Sequence, residues 1–290
     1  MKCKLCASKK TVFLFNAKNL HGRHLWDSHE TFKILQCSRC KSIFIGNIEV
    51  NSQYYKKYYP LTYYNENYNG KKTISWILGL WGRFSLKRKQ NLILNNIQLR
   101  DKKCKILDIG CGKGIFLNDL DSSRFEKYGL EINKKGYEAS LGKGLKVYNQ
   151  ELTNIDFKSM KFDVVTLWHV LEHIEKPAEL FNKINQILKN NGILILATPN
   201  TDSLGFKWGR GNWFHLDSPR HLILYNQKSI SWLLEKSRFK IIKVKNEFYD
   251  YPLDLFWSLR KSVMRFLVYP LYPLFKFFSQ EHLTFVYKKT

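Results

Sequence analysis

Between residues 100 and 200, short apolar runs alternate with stretches of helical period. Residues 106–109, 128–132, 145–148, 162–167 and 193–197 read as strands, and 115–120, 134–141 and 177–188 as the helices between them. Asn190, Asn191 and Gly192 stop the last helix. Apolar strands separated by helices predict a mainly parallel sheet covered on both faces, which binds ligands beyond its strand C-termini. Further on, 229–234 reads as helix and 239–244 as strand. Leu283, Phe285 and Tyr287 alternate in a last strand at 282–288. Before the sheet, 12–15 and 32–35 read as short strands. Residues 73–97 fit a helix with Ile77, Leu80, Trp81, Phe84 and Leu92 on its apolar side, weakened by Gly79 and Gly82.

Cys3-x-x-Cys6 and Cys37-x-x-Cys40 change the picture of the N-terminus. Each pair sets two thiolates on a tight turn, and two such turns close a tetrahedron around zinc. Four sulfurs leave no open position, so this zinc is expected to be structural. His21, His24 and His29 lie between the pairs as substitute ligands or surface residues. Cys104 and Cys111 read as small packed residues. The division is then a zinc ribbon at 1–45, an aromatic linker and helical cap at 46–100, and an α/β domain at 101–290. The linker holds Tyr54, Tyr55, Tyr58, Tyr59, Tyr63, Tyr64 and Tyr68, which suit base stacking or packing between domains.

Lys and Arg number 48 against 24 Asp and Glu, a formal charge of +24. That balance favours anionic partners, or else a solvated lysine-rich exterior. No concentrated basic helix marks a nucleic-acid reader. The start Met-Lys-Cys-Lys-Leu-Cys has no apolar signal core, so a cytoplasmic protein with reduced cysteines is expected.

The candidate chemistry begins at Leu107-Asp108-Ile109-Gly110-Cys111-Gly112-Lys113-Gly114. A strand ends in a turn of spacing G-x-G-x-G, where backbone can approach a ligand closely; the pyrophosphate fingerprint is G-x-G-x-x-G. Gly129-Leu130-Glu131, Phe162-Asp163-Val164-Val165, the segment from Trp168 to Ile174 and Pro199-Asn200 follow in order. His169-x-x-Glu172-His173 also spells a zinc-peptidase motif, but it leaves a strand instead of lying in a long helix.

From about residue 100 onward the chain resembles the class I methyltransferases that use S-adenosylmethionine, in particular a small-molecule and sugar subgroup with a zinc ribbon in front. The resemblance implies a Rossmann-like, mostly parallel seven-stranded sheet. It also implies that Glu131, with Ile132 beside it, takes the cofactor's ribose hydroxyls. Gly110, Cys111, Gly112 and Gly114 would carry the methionine and ribose part. Asp108 would orient the turn or bridge to the ammonium through water. Glu151 and Leu152 would read the adenine, with Asp156 a competitor, and Trp168 and His169 would border the methionine arm. The segment Trp213–Leu222 resembles one that borders the acceptor pocket. His221 is therefore the first candidate for base, followed by His169, His215 and His173. Arg220 would pair an acceptor anion or Asp217.

The expected reaction is methyl transfer to a hydroxyl of a sugar, glycan or lipid-linked small molecule. A nucleotide-sugar C-methyltransferase is an alternative, although such enzymes usually carry a large further C-terminal domain. An RNA methyltransferase lacks its Asn-Pro-Pro-Tyr-type signature here, and a non-catalytic scaffold is the third rival. Within the apolar insertion at 251–278, a helix would set Phe256, Leu259, Val263, Phe266 and Leu267 on one side and Arg260, Lys261 and Arg265 on the other, and 271–278 continues this basic amphipathic pattern with aromatic residues. It suits peripheral contact with the inner face of a membrane, or a lid or homodimer face. Charges, Pro270 and Pro273 argue against a spanning segment.

Overall fold

The computed structural model describes residues 1–18, 30–59, 72–97, 102–235, 237, 239–247 and 250–289. His21, His24, His29, Tyr63, Tyr64 and Tyr68 lie outside them, as does the side chain of Ile77. The N-terminal ribbon is built from β1 (Thr11–Lys18), β2 (Thr31–Cys37) and β3 (Ile43–Ile45), paired antiparallel in that order. Helix α1 (Ser52–Tyr58) follows; Asn51 caps it by accepting the Tyr54 N–H, and Tyr54 and Tyr58 are buried. Helix α2 (Lys72–Leu94) runs close to the span expected from its period.

The α/β region then reads β4 (Cys104–Ile109), α3 (Ile115–Asp119), β5 (Phe125–Leu130), α4 (Lys134–Leu141), β6 (Lys146–Tyr148), β7 (Phe162–Trp168), α5 (Pro177–Ile187) and β8 (Leu188–Pro199). It continues through α6 (Leu204–Gly209), β9 (Ile223–Leu224), α7 (Gln227–Glu235) and β10 (Phe239–Glu247). The last elements are α8 (Asp254–Leu259), α9 (Arg265–Val268), α10 (Tyr272–Phe278) and β11 (His282–Lys289). Seven strands form one sheet in the order β10-β11-β8-β7-β4-β5-β6. Strands β4 to β8 pair parallel, and β11 enters antiparallel between β8 and β10. This is the Rossmann-like sheet of the class I methyltransferases.

Alternation along the central strands splits the core in two. Leu107, Val165, Leu167, Leu194 and Leu196 pack with Phe181 and Ile184 of α5, while Ile106, Val164, Ile193 and Ile195 pack with Phe116 and Leu117 of α3. Turning both faces inward explains why the apolar runs Ile106-Leu107, Val164-Val165 and Ile193 to Ala197 are unbroken in these strands. The ribbon is stitched into this body: β9 adds to its sheet, with Phe44 opposite Ile223 and Ile43 opposite Leu224. The Tyr54 hydroxyl also donates to the Pro219 carbonyl at 3.1 Å.

The amphipathic helix expected through residues 256–267 is broken: α8 ends at Leu259 and α9 begins at Arg265, and Pro270 and Pro273 then each open a new helical turn on the way to α10. Leu255, Leu259 and Val268 turn inward as a small core of their own, separating Leu259 from the exposed Val263, Phe266 and Leu267.

Candidate active site

The turn after β4 is made possible by glycine. Gly110, Gly112 and Gly114 have φ of +71°, +55° and +69°, a left-handed backbone that side chains rarely adopt. At Gly110 there is also no room, since a Cβ would sit 2.5 Å from Val170 Cγ2. Glu131, one residue past β5, lies against this turn and is buried. Its Oε2 accepts the Gly112 N–H at 2.8 Å and its Oε1 the Asn133 N–H at 2.7 Å. Asn133 in turn caps α4, accepting from Lys135 and Gly136, so the carboxylate, turn and helix start hold one another in place. Under the turn, Asp108 accepts the Thr166 hydroxyl at 2.6 Å. Burial pushes its carboxyl up to about 7, against the hydrogen bond from Thr166.

A cavity of about 490 Å³ opens at this strand end. Gly110, Glu131, Ile132, Glu151 and Leu152 line it, together with His169, His173, Tyr55 and Tyr59. The remaining expected cofactor residues stand behind the wall. Gly112 positions Glu131, Gly114 faces Ser140 and Leu145, and the Cys111 sulfur lies beneath Gly129. Trp168 packs edge-on against Phe116, with the Lys89 ammonium 4.9 Å from its ring centre.

Four histidines were candidates, and the fold gives them different work. His169 has φ of +57°, and its N–H donates to the Ala197 carbonyl. Its Nε2 lies 2.9 Å from Asp250 and its Nδ1 3.6 Å from Glu172. Burial opposes charge on this ring, but the bonds to Asp250 and Glu172 outweigh it and lift the imidazole to about 9. Asp250 is held well below the usual carboxylate range despite burial, because Lys89 and His169 face it. The Ser85 hydroxyl donates to it at 2.6 Å, which ties α2 to the cavity wall.

His173 is the opposite case: burial and the neighbouring His221 push it down to about 4, so it is neutral at pH 7. Its Nδ1 lies 2.9 Å from the Tyr59 hydroxyl and 3.1 Å from the Arg220 carbonyl.

His221 and His215 are not among the cavity's lining residues. His221 sits behind His173, ring centres 4.6 Å apart, with Nδ1 2.7 Å from the His215 carbonyl. His215 is buried against Asp254 at 3.0 Å, and burial and His282 push it down to about 3. The fold thus sets both rings inward, His221 behind His173 and His215 against Asp254. Arg220 bonds Asp217 at 2.6 Å. Tyr55, Tyr59 and Asp250 were not foreseen as site residues. The two tyrosines belonged to the noted aromatic cluster, while Asp250 carried no signal beyond being a lone acid at the start of the insertion.

The four ribbon cysteines bring their sulfurs within 4.8 Å of one another, with Cys3–Cys40 at 3.6 Å and Cys6–Cys37 at 3.5 Å. Zinc–sulfur bonds of about 2.3 Å in a tetrahedron place sulfurs about 3.8 Å apart, so the donor set fits that ion.

The sequence profile of the methyltransferase-domain family matches residues 81–244. Among curated relatives, the ubiquinone biosynthesis O-methyltransferase of Haemophilus ducreyi is 30% identical over 107 residues, covering 33% of this chain and 45% of that protein. Its namesake in Rickettsia canadensis is 31% identical over 103 residues, covering 34% and 44%. The chain thus spans under half the length of these relatives. Among solved structures, an S-adenosylmethionine-dependent methyltransferase from Mesorhizobium loti superposes with a TM-score of 0.51 at 15% identity, covering 69% of this chain and 96% of that one. The geranyl diphosphate C-methyltransferase of Streptomyces coelicolor gives 0.57 at 8% identity, covering 78% and 86%. At such identities the likeness is one of fold.

Proposed function

The chain belongs to the methyltransferase-domain family, and from that premise we propose that it transfers a methyl group from S-adenosylmethionine to a hydroxyl oxygen of a small molecule, a sugar, glycan or lipid-linked metabolite. The observation that carries this reading is the shared wall of the cavity. A carboxylate suited to a ribose diol and a neutral histidine suited to a hydroxyl proton line the same 490 Å³. The residues fit the cofactor: Glu131 is fixed at a strand end, the glycine turn admits close backbone approach, and Asp108 is a buried carboxyl of raised pKa that a nearby ammonium would stabilise. When bound, S-adenosylmethionine supplies an activated methyl on a sulfonium.

What the chain must add is alignment and a place for the proton. His169 cannot take it, since both ring nitrogens face carboxylates and the ring is already protonated at neutral pH. His173 is better placed: it lines the cavity uncharged and is steadied by Tyr59, and while burial and His221 weaken its hold on a proton, Glu172 and Asp217 nearby favour the charged ring. An oxygen acceptor agrees with the names of the relatives from Haemophilus and Rickettsia. Zinc in the ribbon would hold β1 to β3 together, and α1, which follows β3, carries Tyr55 with Tyr59 at its C-terminal end. The test is transfer of labelled methyl across sugar nucleotides, lipid-linked glycans, phenols and RNA, followed by mass analysis. Label on a hydroxyl oxygen supports the reading; label confined to carbon or to RNA overturns it.

A further inference from the structure

The outer surface of the insertion is out of keeping with the rest of the molecule. Val263 is 80% exposed, Phe266 71%, and Leu267, Leu271, Leu274, Phe277 and Phe278 are all more than half exposed. Scattered exposed apolar residues are ordinary, but these fall within sixteen consecutive positions. The inner side of the same segment is fastened down. Asp254 receives Lys276 at 2.5 Å, His215 at 3.0 Å and His282 at 3.2 Å, and the Trp213 indole N–H donates to Glu281 at 2.9 Å. The exposed side chains are therefore carried on an anchored platform, not on a frayed tail.

Charge decides between the occupants. Residues 255–280 contain no Asp or Glu, and their cations are Arg260, Lys261, Arg265 and Lys276. Lys276 is consumed by Asp254 inside and the Arg260 guanidinium is largely buried, which leaves Lys261 exposed and Arg265 half-buried over the Phe266 ring on the apolar face. A second copy would bring another +24 charge to the contact. An anionic bilayer accepts both features at once: aromatic and aliphatic side chains enter the headgroup boundary while Arg and Lys meet lipid phosphates. None of the described helices is long and apolar enough to cross a membrane, so contact would be peripheral.

We propose that α8 to α10 form a docking face for an anionic lipid bilayer, an inference that does not depend on the acceptor's identity. The segment that carries this face starts at the cavity wall, where Tyr251, just before α8, packs edge-on against His169 with ring centres 5.5 Å apart.

The test is co-sedimentation of the full chain with vesicles of phosphatidylcholine alone or with a quarter phosphatidylglycerol. Binding is expected to the anionic vesicles only, and to weaken at least tenfold from 50 to 500 mM salt. The triple variant Val263→Ser, Phe266→Ser, Phe277→Ser should lose at least tenfold more. Lys261→Glu should lose about fivefold or more, near the value of one cationic contact. S-adenosylmethionine affinity measured on each variant reports that it is folded. Absence of wild-type binding, binding unchanged in the triple variant, or a dimer that the triple variant dissolves and vesicles do not compete with would each overturn the proposal.

Discussion

The two ends of the cavity are built in different ways. The proposed donor end comes from two successive strand ends, the turn at Gly110–Gly114 and Glu131, whose carboxylate that turn grips through the Gly112 N–H. The proposed acceptor end is assembled from remote places: Tyr55 and Tyr59 on the linker and His169 and His173 after β7 line the cavity, with Asp250 before the insertion and Lys89 on α2 backing His169. A generic cofactor needs one fixed cradle, whereas an acceptor pocket can be changed by altering whichever segments reach it. The lesson is that a local motif announces the donor, and only tertiary structure announces what meets it.

Changes at the donor end should weaken cofactor binding, and changes at the acceptor end should spare it. Glu131→Ala is expected to have the largest effect, raising the Kd for S-adenosylmethionine by about 100-fold, as loss of two charge-assisted hydrogen bonds implies. His173→Gln should lower kcat by about 100-fold, a typical share for a positioned base, with that Kd within about twofold of wild type. Chelator treatment, which would empty the proposed zinc site, should cost about tenfold in kcat/KM for the acceptor, because the ribbon leads from β3 directly into α1 and its tyrosines. A fall in cofactor affinity of the same size would erase the distinction between the two ends.

Asp250→Asn tests the hidden partner. His169 titrates near 9, above the ordinary 6.5, so its contribution to stability is full below about pH 6.5 and is lost as pH rises through about 9. Wild-type Tm should fall by several degrees from pH 7 to 10, and the variant should show a smaller fall, together with about tenfold lower kcat. Proton NMR of the His169 ring should show its pKa dropping in the variant. Tyr59→Phe is expected to be mildest, about three- to fivefold in kcat, since only the hydrogen bond that steadies His173 is removed. Equal cofactor affinity in all the acceptor-end variants sharpens the comparison.

This division also explains what could be read from sequence. The sheet was legible because each strand's apolar run survives burial on both faces, and the tight turn at Gly110, Gly112 and Gly114 because its left-handed backbone calls for glycine. Strand ends shifted by a few residues, as at β5, which begins at Phe125 and stops at Leu130. The acceptor end was legible only as candidates. His221 follows β8 in sequence as the family resemblance suggested, yet it packs behind His173 instead of lining the cavity. Asp250 belongs to no motif, and its partners Lys89 and His169 lie far away in the chain. The period through residues 256–267 suggested one helix because periodicity does not register that Leu255 and Leu259 of α8 fold onto Val268 of α9 as a local core.

The account is tested most directly by calorimetric titration of S-adenosylmethionine into the wild type, Glu131→Ala and His173→Gln side by side. Binding to the wild type and to His173→Gln with matching affinity, and its near loss in Glu131→Ala, is the result expected. No binding to the wild type, or equal weakening in both variants, would contradict it.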